Sequence, residues 1–473
     1  MTVSRTPSKW TVLAIVGVGV FMCTLDTSIV NVSLPAIAHY FGVPVGAEAE
    51  WVIIAYLVII ASTLLTIGRL SDRVGRKPIW LAGLFVFTFG SALCGVTPSL
   101  PLLIGARIVQ GIGAAMLMAV SPAMLVAAFP PSERGRALGL NSMVVAFGIT
   151  AGPTLGGAIA QHASWRWIFY LNVPIGIAGA IATSILLPSD SRRERRAFDV
   201  LGALLLGVAL GGAATTLSIG NEAGWVTPPV LALGSVALVA LVLFLLQERR
   251  HELPLLDHSL FKNRLFAWAT ASLVLSFLAS FATAFLLPVY LVQLRGFSLE
   301  KTGLLLTPFP LTIAVVAPIS GHVADRIGTR WLAASGMAVM CVGLVLLAGL
   351  DARSSTTEVI WRQLVGALGL GLFSSPNNSA IMGAAPRDRQ GVAAGMLATG
   401  RTMGQSLSVA IAGAVFGSLG GAAAGRALAH SPGDPRLAAT FTRGYHYALV
   451  TAAAIAAAGV FTSLMRGREH REV

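Results

Sequence analysis

Apolar residues run along this chain in repeated stretches of about 18–25 residues, broken by short polar or charged segments. At 1.5 Å per residue, a helix of that length crosses the hydrocarbon layer of a bilayer. The runs predict fourteen helices, near 11–37, 50–67, 79–97, 101–129, 138–160, 167–187, 200–219, 229–246, 265–292, 302–320, 331–350, 358–383, 391–417 and 446–465. The first run is longer than a signal-peptide core and lacks a small-residue cleavage pattern, so it reads as a helix of the mature chain.

Composition agrees. The 473 residues are 55% hydrophobic and 11% charged, against about 25% charged in soluble domains. The expected class is therefore an all-α polytopic membrane protein. A net charge of +13 raises nucleic acid as a partner, but its distribution argues against it. Alternate loops and both tails hold 23 of the 33 Lys and Arg, and the other loops hold seven. This is the positive-inside pattern, with an even helix count and both termini cytoplasmic. Trp10, Trp51, Trp80, Trp167, Trp268, Trp331 and Trp361 fall at predicted helix ends, as an aromatic belt requires. Cys23, Cys94 and Cys341 all sit in apolar runs, which implies neither a disulfide framework nor a metal site. No nucleotide-binding Gly-rich loop, metal-ligand cluster or catalytic triad spacing appears, so an enzyme is not expected.

The chain repeats itself. GRLSDRVGRK (68–77) is echoed by GHVADRIGTR (321–330), with Gly68, Asp72, Arg73 and Gly75 in register with Gly321, Asp325, Arg326 and Gly328. RIVQGIG (107–113) and RQLVGALG (362–369) follow at nearly the same offset, as do Glu133-Arg134 and Asp388-Arg389. Two homologous halves are a recurrent plan among secondary transporters. The expected division is a six-helix bundle over 1–187, two inserted helices over 188–263 and a second six-helix bundle over 264–473. The inserted pair contains no acidic or basic residue and reads as a lipid-facing spacer.

Of the 20 acidic residues, only Asp26 falls deep inside a predicted helix, within CTLDTSIVNVSLPAI (23–37). A carboxylate there costs about 2.5–3.5 kcal/mol and needs a partner. Arg107 lies near the same depth and Arg401 a little lower, so both are candidates for the partner and for proton coupling. The pair is either a structural tie or a proton-binding site lining a central cavity, held titratable by burial against a nearby arginine. Arg362 sits near a helix end, where it snorkels. Three intramembrane arginines against one aspartate disfavour a dicationic ligand and suit monovalent cations, neutral amphiphiles or weakly anionic compounds. Asn31, Gln110, Asn141, Asn377, Asn378 and Gln405 share that depth, with Asn31, Gln110 and Asn378 the candidate substrate contacts.

Two motifs carry mechanics. In the repeated loop, Gly68 and Gly75 permit tight turns, and Asp72 can face a helix N-terminus, where negative charge is favoured. Arg73, Arg76 and Lys77 mark the surface, and Glu133 is a candidate partner for Arg76. Because the acid recurs as Asp325, next to Arg326, the loop is expected to latch one half to the other. Gly148, Gly152 and Gly156 share one helix face and admit a close neighbour, while Pro153 removes a backbone donor and bends the helix.

These segments resemble the major facilitator superfamily, and more narrowly its fourteen-helix drug:proton antiporter family. GRLSDRVGRKP (68–78) is similar to the superfamily's loop motif, and LDTSIVNVSLPAI (25–37) to a first-helix signature of the drug-antiporter branch. RIVQGIGAA (107–115) resembles the fourth-helix arginine motif. GITAGPTLGG (148–157) matches the antiporter motif at Gly148, Gly152, Pro153, Gly156 and Gly157. WRWIFYLNVPIG (165–176) is similar to a segment of the fourteen-helix group. The resemblance implies a major facilitator fold of two six-helix bundles plus two inserted linker helices. It also implies a proton-coupled antiporter that exports hydrophobic or amphiphilic compounds by alternating access; a dedicated exporter of one natural product or lipid is the alternative. Its partners would be small molecules, protons and the lipid bilayer, with no nucleic acid and no cofactor beyond the proton gradient. A monomer is implied. The Ala-, Gly- and Arg-rich composition points to a bacterial inner membrane.

Overall fold

A computed structural model describes residues 8–43, 49–188, 199–250, 258–428, 431 and 433–466. Most of the charged segments expected to bracket the inserted pair lie outside these residues. Every regular element described is helical. The first half comprises α1 (Lys9–Phe41), α2 (Trp51–Val74), α3 (Arg76–Val96), α4 (Leu100–Ala128), α5 (Arg134–His162), α6 (Trp167–Tyr170) and α7 (Asn172–Leu186). Then come α8 (Val200–Ala223), α9 (Pro228–Arg250) and the short α10 (His258–Lys262). The second half comprises α11 (Arg264–Val289), α12 (Leu299–Leu306), α13 (Pro308–Ile327), α14 (Arg330–Ala348), α15 (Thr356–Ala384), α16 (Gln390–Ser418), α17 (Gly421–Leu428) and α18 (Pro435–Leu464).

Local chemistry sets several boundaries. Gly42 closes α1 in the left-handed region at φ 67, which costs glycine no steric strain. Ser355 and Glu358 form a capping box at the start of α15. Asp434 caps α18 with Pro435 at its first position. That cap corrects the expected start near 446. Residues 435–445 are too polar to register as an apolar run, yet Phe441 packs on Phe416 and Tyr445 on Tyr290, so the helix continues outward.

Among the described residues, eleven helices are long and apolar enough to span a membrane, or twelve if the pair bent by 76° at α16–α17 is one span. The expected fourteen is not reached by that measure. Helix α15 is 29 residues long, but its glycines and polar side chains lower its hydropathy; α5 is equally long, and part of it carries side chains outside the described residues.

Helices α1–α7 pack around one core and α11–α18 around another. The halves cross chiefly where α2 meets α16 and α5 meets α13. Glycines set both crossings: Gly68 abuts the Gly391 backbone, and Gly135 abuts that of Gly321. The inserted pair is more than a spacer. Its outer face is apolar and exposed at Val236, Leu238 and Val239, as expected against lipid. However, α8 packs on both α2 and α16, and Leu206 and Phe244 cluster with Leu65 and Met396. The insertion thus covers one of the two seams between halves.

Candidate functional site

Asp26 lies about midway along α1, and its side chain is fully enclosed within the first half. Arg107 and Gln110 are three residues apart on α4, so both project from one helix face toward it. The Arg107 Nη1 donates to Asp26 Oδ2 at 2.6 Å and to Gln110 Oε1 at 2.6 Å. Gln110 Nε2 donates to Asp26 Oδ1 at 2.8 Å and to Ser91 Oγ of α3 at 2.8 Å. Asn172, the first residue of α7, donates to the same Asp26 oxygen and to Ser91, both at 3.0 Å. The Arg107 Nε reaches the Val52 carbonyl of α2 at 2.9 Å, and the guanidinium lies 4.0 Å from the centre of the Tyr56 ring. Five helices therefore converge on one carboxylate. No member of the set Asp26, Arg107, Gln110, Ser91 and Asn172 exceeds 1% exposure, which suits a charge pair held in low dielectric with its remaining lone pairs satisfied.

Three expectations change. Of the two candidate partners, Arg107 makes the pair and Arg401 does not. Asp26 lines no central cavity, because donors from α4 and α7, themselves tied to Ser91 of α3, enclose it inside one bundle. Gln110 is bound into this cluster and is not presented to a ligand. Depth along a helix is legible in a sequence, but direction around the helix is set by packing. Asn172 and Ser91 escape a reading of the sequence alone; Asn172 is an isolated amide in the apolar segment WRWIFYLNVPIG, which is the available signal.

The other expected contacts lie apart from the cluster. Asn31 is exposed on α1, and Asn378 is half-buried on α15. Arg401 is half-buried on α16, with its guanidinium 5.5 Å from the Phe277 ring centre of α11.

The glycine motif supports the site from behind. A Cβ at Gly148 would meet Thr24, one at Gly152 would meet Ser28, and one at Gly156 would lie 2.9 Å from Ile29 Cγ1. Small residues thus let α5 lie directly on the α1 segment that carries Asp26. Ser28 Oγ adds a 2.8 Å bond to the Ile149 carbonyl. Pro153 and Gly157 belong to α5, but their side-chain surroundings lie outside the described residues.

At the end of the bundle bearing the repeated loops, the two carboxylates reach across the halves. Asp72 accepts from the Gly391 and Val392 amides at 2.7 and 3.0 Å, at the N-terminus of α16. Asp325 accepts from the Gly135 and Arg136 amides at 2.8 and 3.0 Å, at the N-terminus of α5. Each therefore meets unsatisfied amides and the positive end of a helix in the other half. Arg76 extends the same seam, donating to Gln390 Oε1 at 3.1 Å and to the Arg387 carbonyl at 3.3 Å. Glu133 pairs instead with Lys9 at 2.5 Å, correcting the pairing with Arg76. Gly75 and Gly328 turn the chain at φ 105 and 94, where other residues would be strained. Arg73 lies half-buried and Arg326 exposed beside them.

A family model described as Major Facilitator Superfamily matches residues 16–200, 196–409 and 273–473. A riboflavin transporter, RibZ, of Clostridioides difficile (strain 630) is 38% identical over 405 residues, covering 85% of this chain and 87% of the relative. A multidrug resistance protein, Stp, of Mycobacterium tuberculosis (strain CDC 1551 / Oshkosh) is 34% identical over 396 residues, covering 83% and 73%. Among solved structures, the human organic anion transporter MFSD10 superposes with a TM-score of 0.69 over 97% of this chain and 100% of that one; at 16% identity the likeness speaks to fold alone.

Proposed function

The chain belongs to the major facilitator superfamily, and to its drug:proton antiporter family; on that premise we propose that it is a proton-coupled exporter of hydrophobic or amphiphilic compounds. The observation that carries this reading is the sealed Asp26–Arg107 pair at membrane depth. An intramembrane acid of this kind is costly and marks proton pathways. A proton arriving on Asp26 cancels its charge and leaves Arg107 without a counter-ion, so the five-helix junction loosens. Loss of that proton restores the pair and draws the helices together. Because the cluster ties α1 to α2, α3, α4 and α7, its protonation state biases the shape of the whole first half.

Alternating access needs a seam that opens. Asp72 and Asp325 hold the basic end closed in this conformation, and we place that end on the cytoplasmic side from the distribution of Lys and Arg. Proton entry from outside would then favour the opposite state, with cargo leaving outward. In this reading the protein acts as a monomer in a bacterial inner membrane, with both termini cytoplasmic and no cofactor beyond the proton gradient. Asn31 and Asn378, outside the sealed cluster, remain the proposed substrate contacts. A narrower reading, dedicated transport of one metabolite, draws support from the riboflavin transporter among the relatives.

Proteoliposomes with an imposed pH gradient and a neutral lipophilic fluorophore test the coupling. Gradient-dependent movement in the wild type that disappears in Asp26→Asn is the expected result. Equal movement in both proteins would reduce the pair to a structural tie. Resistance profiles of an expressing strain separate the two substrate readings: many unrelated compounds for broad efflux, one metabolite for a dedicated exporter.

A further inference from the structure

Arg401 lies eleven residues into α16, about 17 Å from its start at the basic end, and thus near mid-membrane. Ala394 stands on the same helix face, two turns nearer that end. It is fully buried in a cluster with Ala123 and Val126 of α4 and Leu138 of α5. That face of α16 therefore looks toward the other half. At Ala394 the halves are in contact; two turns further, at Arg401, the same face is only half-buried. On the facing wall, Asn141 sits one turn beyond Leu138 on α5, with its amide oxygen buried and unpartnered among the described residues. Near mid-membrane, then, α16 carries a half-buried guanidinium and α5 an amide oxygen with no described partner.

Charge isolates Arg401 further. The Asp26–Arg107 pair is internally neutral, and Arg362 is paired with Glu358 at 3.2 Å. No described acid pairs with Arg401, and its contact is the Phe277 ring. An unpaired guanidinium at this depth is costly, and a planar fork beside an aromatic ring suits a carboxylate carried on an apolar body.

We propose that Arg401 docks the anionic group of the transported molecule, a monoanionic amphiphile whose apolar body lies along Phe277. The proposal takes the transport reading as the reason for calling that ligand cargo. Among the ligand classes compatible with the intramembrane charge balance, it makes the anionic one the preferred class.

Equilibrium binding of three pyrene probes to the purified full chain tests it: pyrenebutyrate, neutral pyrenebutanol and a trimethylammonium analogue. The wild type should bind the carboxylate most tightly. Arg401→Gln should weaken pyrenebutyrate by about tenfold or more, the scale of a charged hydrogen bond, with less than about a twofold change for the alcohol. Arg401→Lys, which keeps the charge but loses the fork, should recover part of the difference. Equal affinities of wild type and Arg401→Gln for pyrenebutyrate would overturn the proposal, as would a wild-type preference for the cation. Gradient-driven flux is read separately. Its absence with the anion preference intact would defeat the transport reading and leave the anion site standing.

Discussion

Replacing Asp26 with Asn leaves Arg107 enclosed among Gln110, Val52 and Tyr56 without its counter-charge. Removing one partner of a buried pair costs about 3–5 kcal/mol, whereas replacing both by neutral groups is often far less costly. Thermal unfolding in detergent should therefore show Asp26→Asn well below the wild type. The double variant Asp26→Asn/Arg107→Gln should recover most of that loss. Proton-driven flux should stay absent in both, and its return in the double variant would assign the pair to stability alone. Asn172→Ala removes one of the two donors on Asp26 Oδ1 and should cost about 1.5–3 kcal/mol, the scale of a hydrogen bond to a charged group. At this scale the sequence supplies the acid and its depth. It does not supply Asn172 or Ser91, because a polar residue in an apolar run reads the same whether it meets a carboxylate, another helix or a ligand.

Helix packing around the site depends on side chains that are absent. Gly152 sits with Ser28 of α1 directly where its Cβ would be, including the Ser28 backbone carbon at 2.9 Å. Gly152→Leu should push α5 off α1 and cost about 1–3 kcal/mol as overpacking, and it should impair transport through displacement of Asp26. At Gly105 on α4, an added Cβ would meet nothing within 4 Å. Gly105→Ala should be neutral or stabilising by up to about 1 kcal/mol. Unfolding midpoints of the two variants compare the sites directly; equal losses would deny the close packing of α5 on α1. Four-residue glycine spacing is legible without a structure, since it is a property of one helix. The partner face on α1 is not. Element boundaries follow the same division: apolar runs locate most helices, while the polar first turns of α18 emerge only through its cap and the burial of Phe441 and Tyr445.

Across the whole molecule, Asp72 and Asp325 form matching closures, each tying its own half to a helix start in the other. A charge at a helix N-terminus contributes about 0.3–1 kcal/mol, and up to about 2 when partly buried. Neutralising either should shift the balance between closed and open forms by several-fold, and neutralising both by more. Spin labels at Val74 and Ile327, both exposed, report the separation at that end. Asp72→Asn should lengthen the distance distribution and slow transport while leaving ligand binding nearly intact. An unchanged distribution, or lost binding with normal folding, would contradict a closure role. The α8–α9 insertion covers the α2–α16 seam but makes no comparable cover over α5–α13 among the described residues. The two seams are therefore unequal in their surroundings despite the internal repeat.

Membrane residence, the duplicated halves, the inserted pair and the presence of one deep acid were all determined by sequence. Each depends on composition along the chain axis: run length measures span, repeated motifs measure duplication, and position in a run measures depth. Tertiary structure alone decided which residues of equal depth meet. It paired Asp26 with Arg107 and left Arg401 half-buried against Phe277, drew Gln110 into the sealed cluster, and gave Glu133 to Lys9. Direction around a helix becomes definite only when neighbours distant in sequence pack against it, and in this protein that direction separates the paired Arg107 from Arg401, which has no described acid partner.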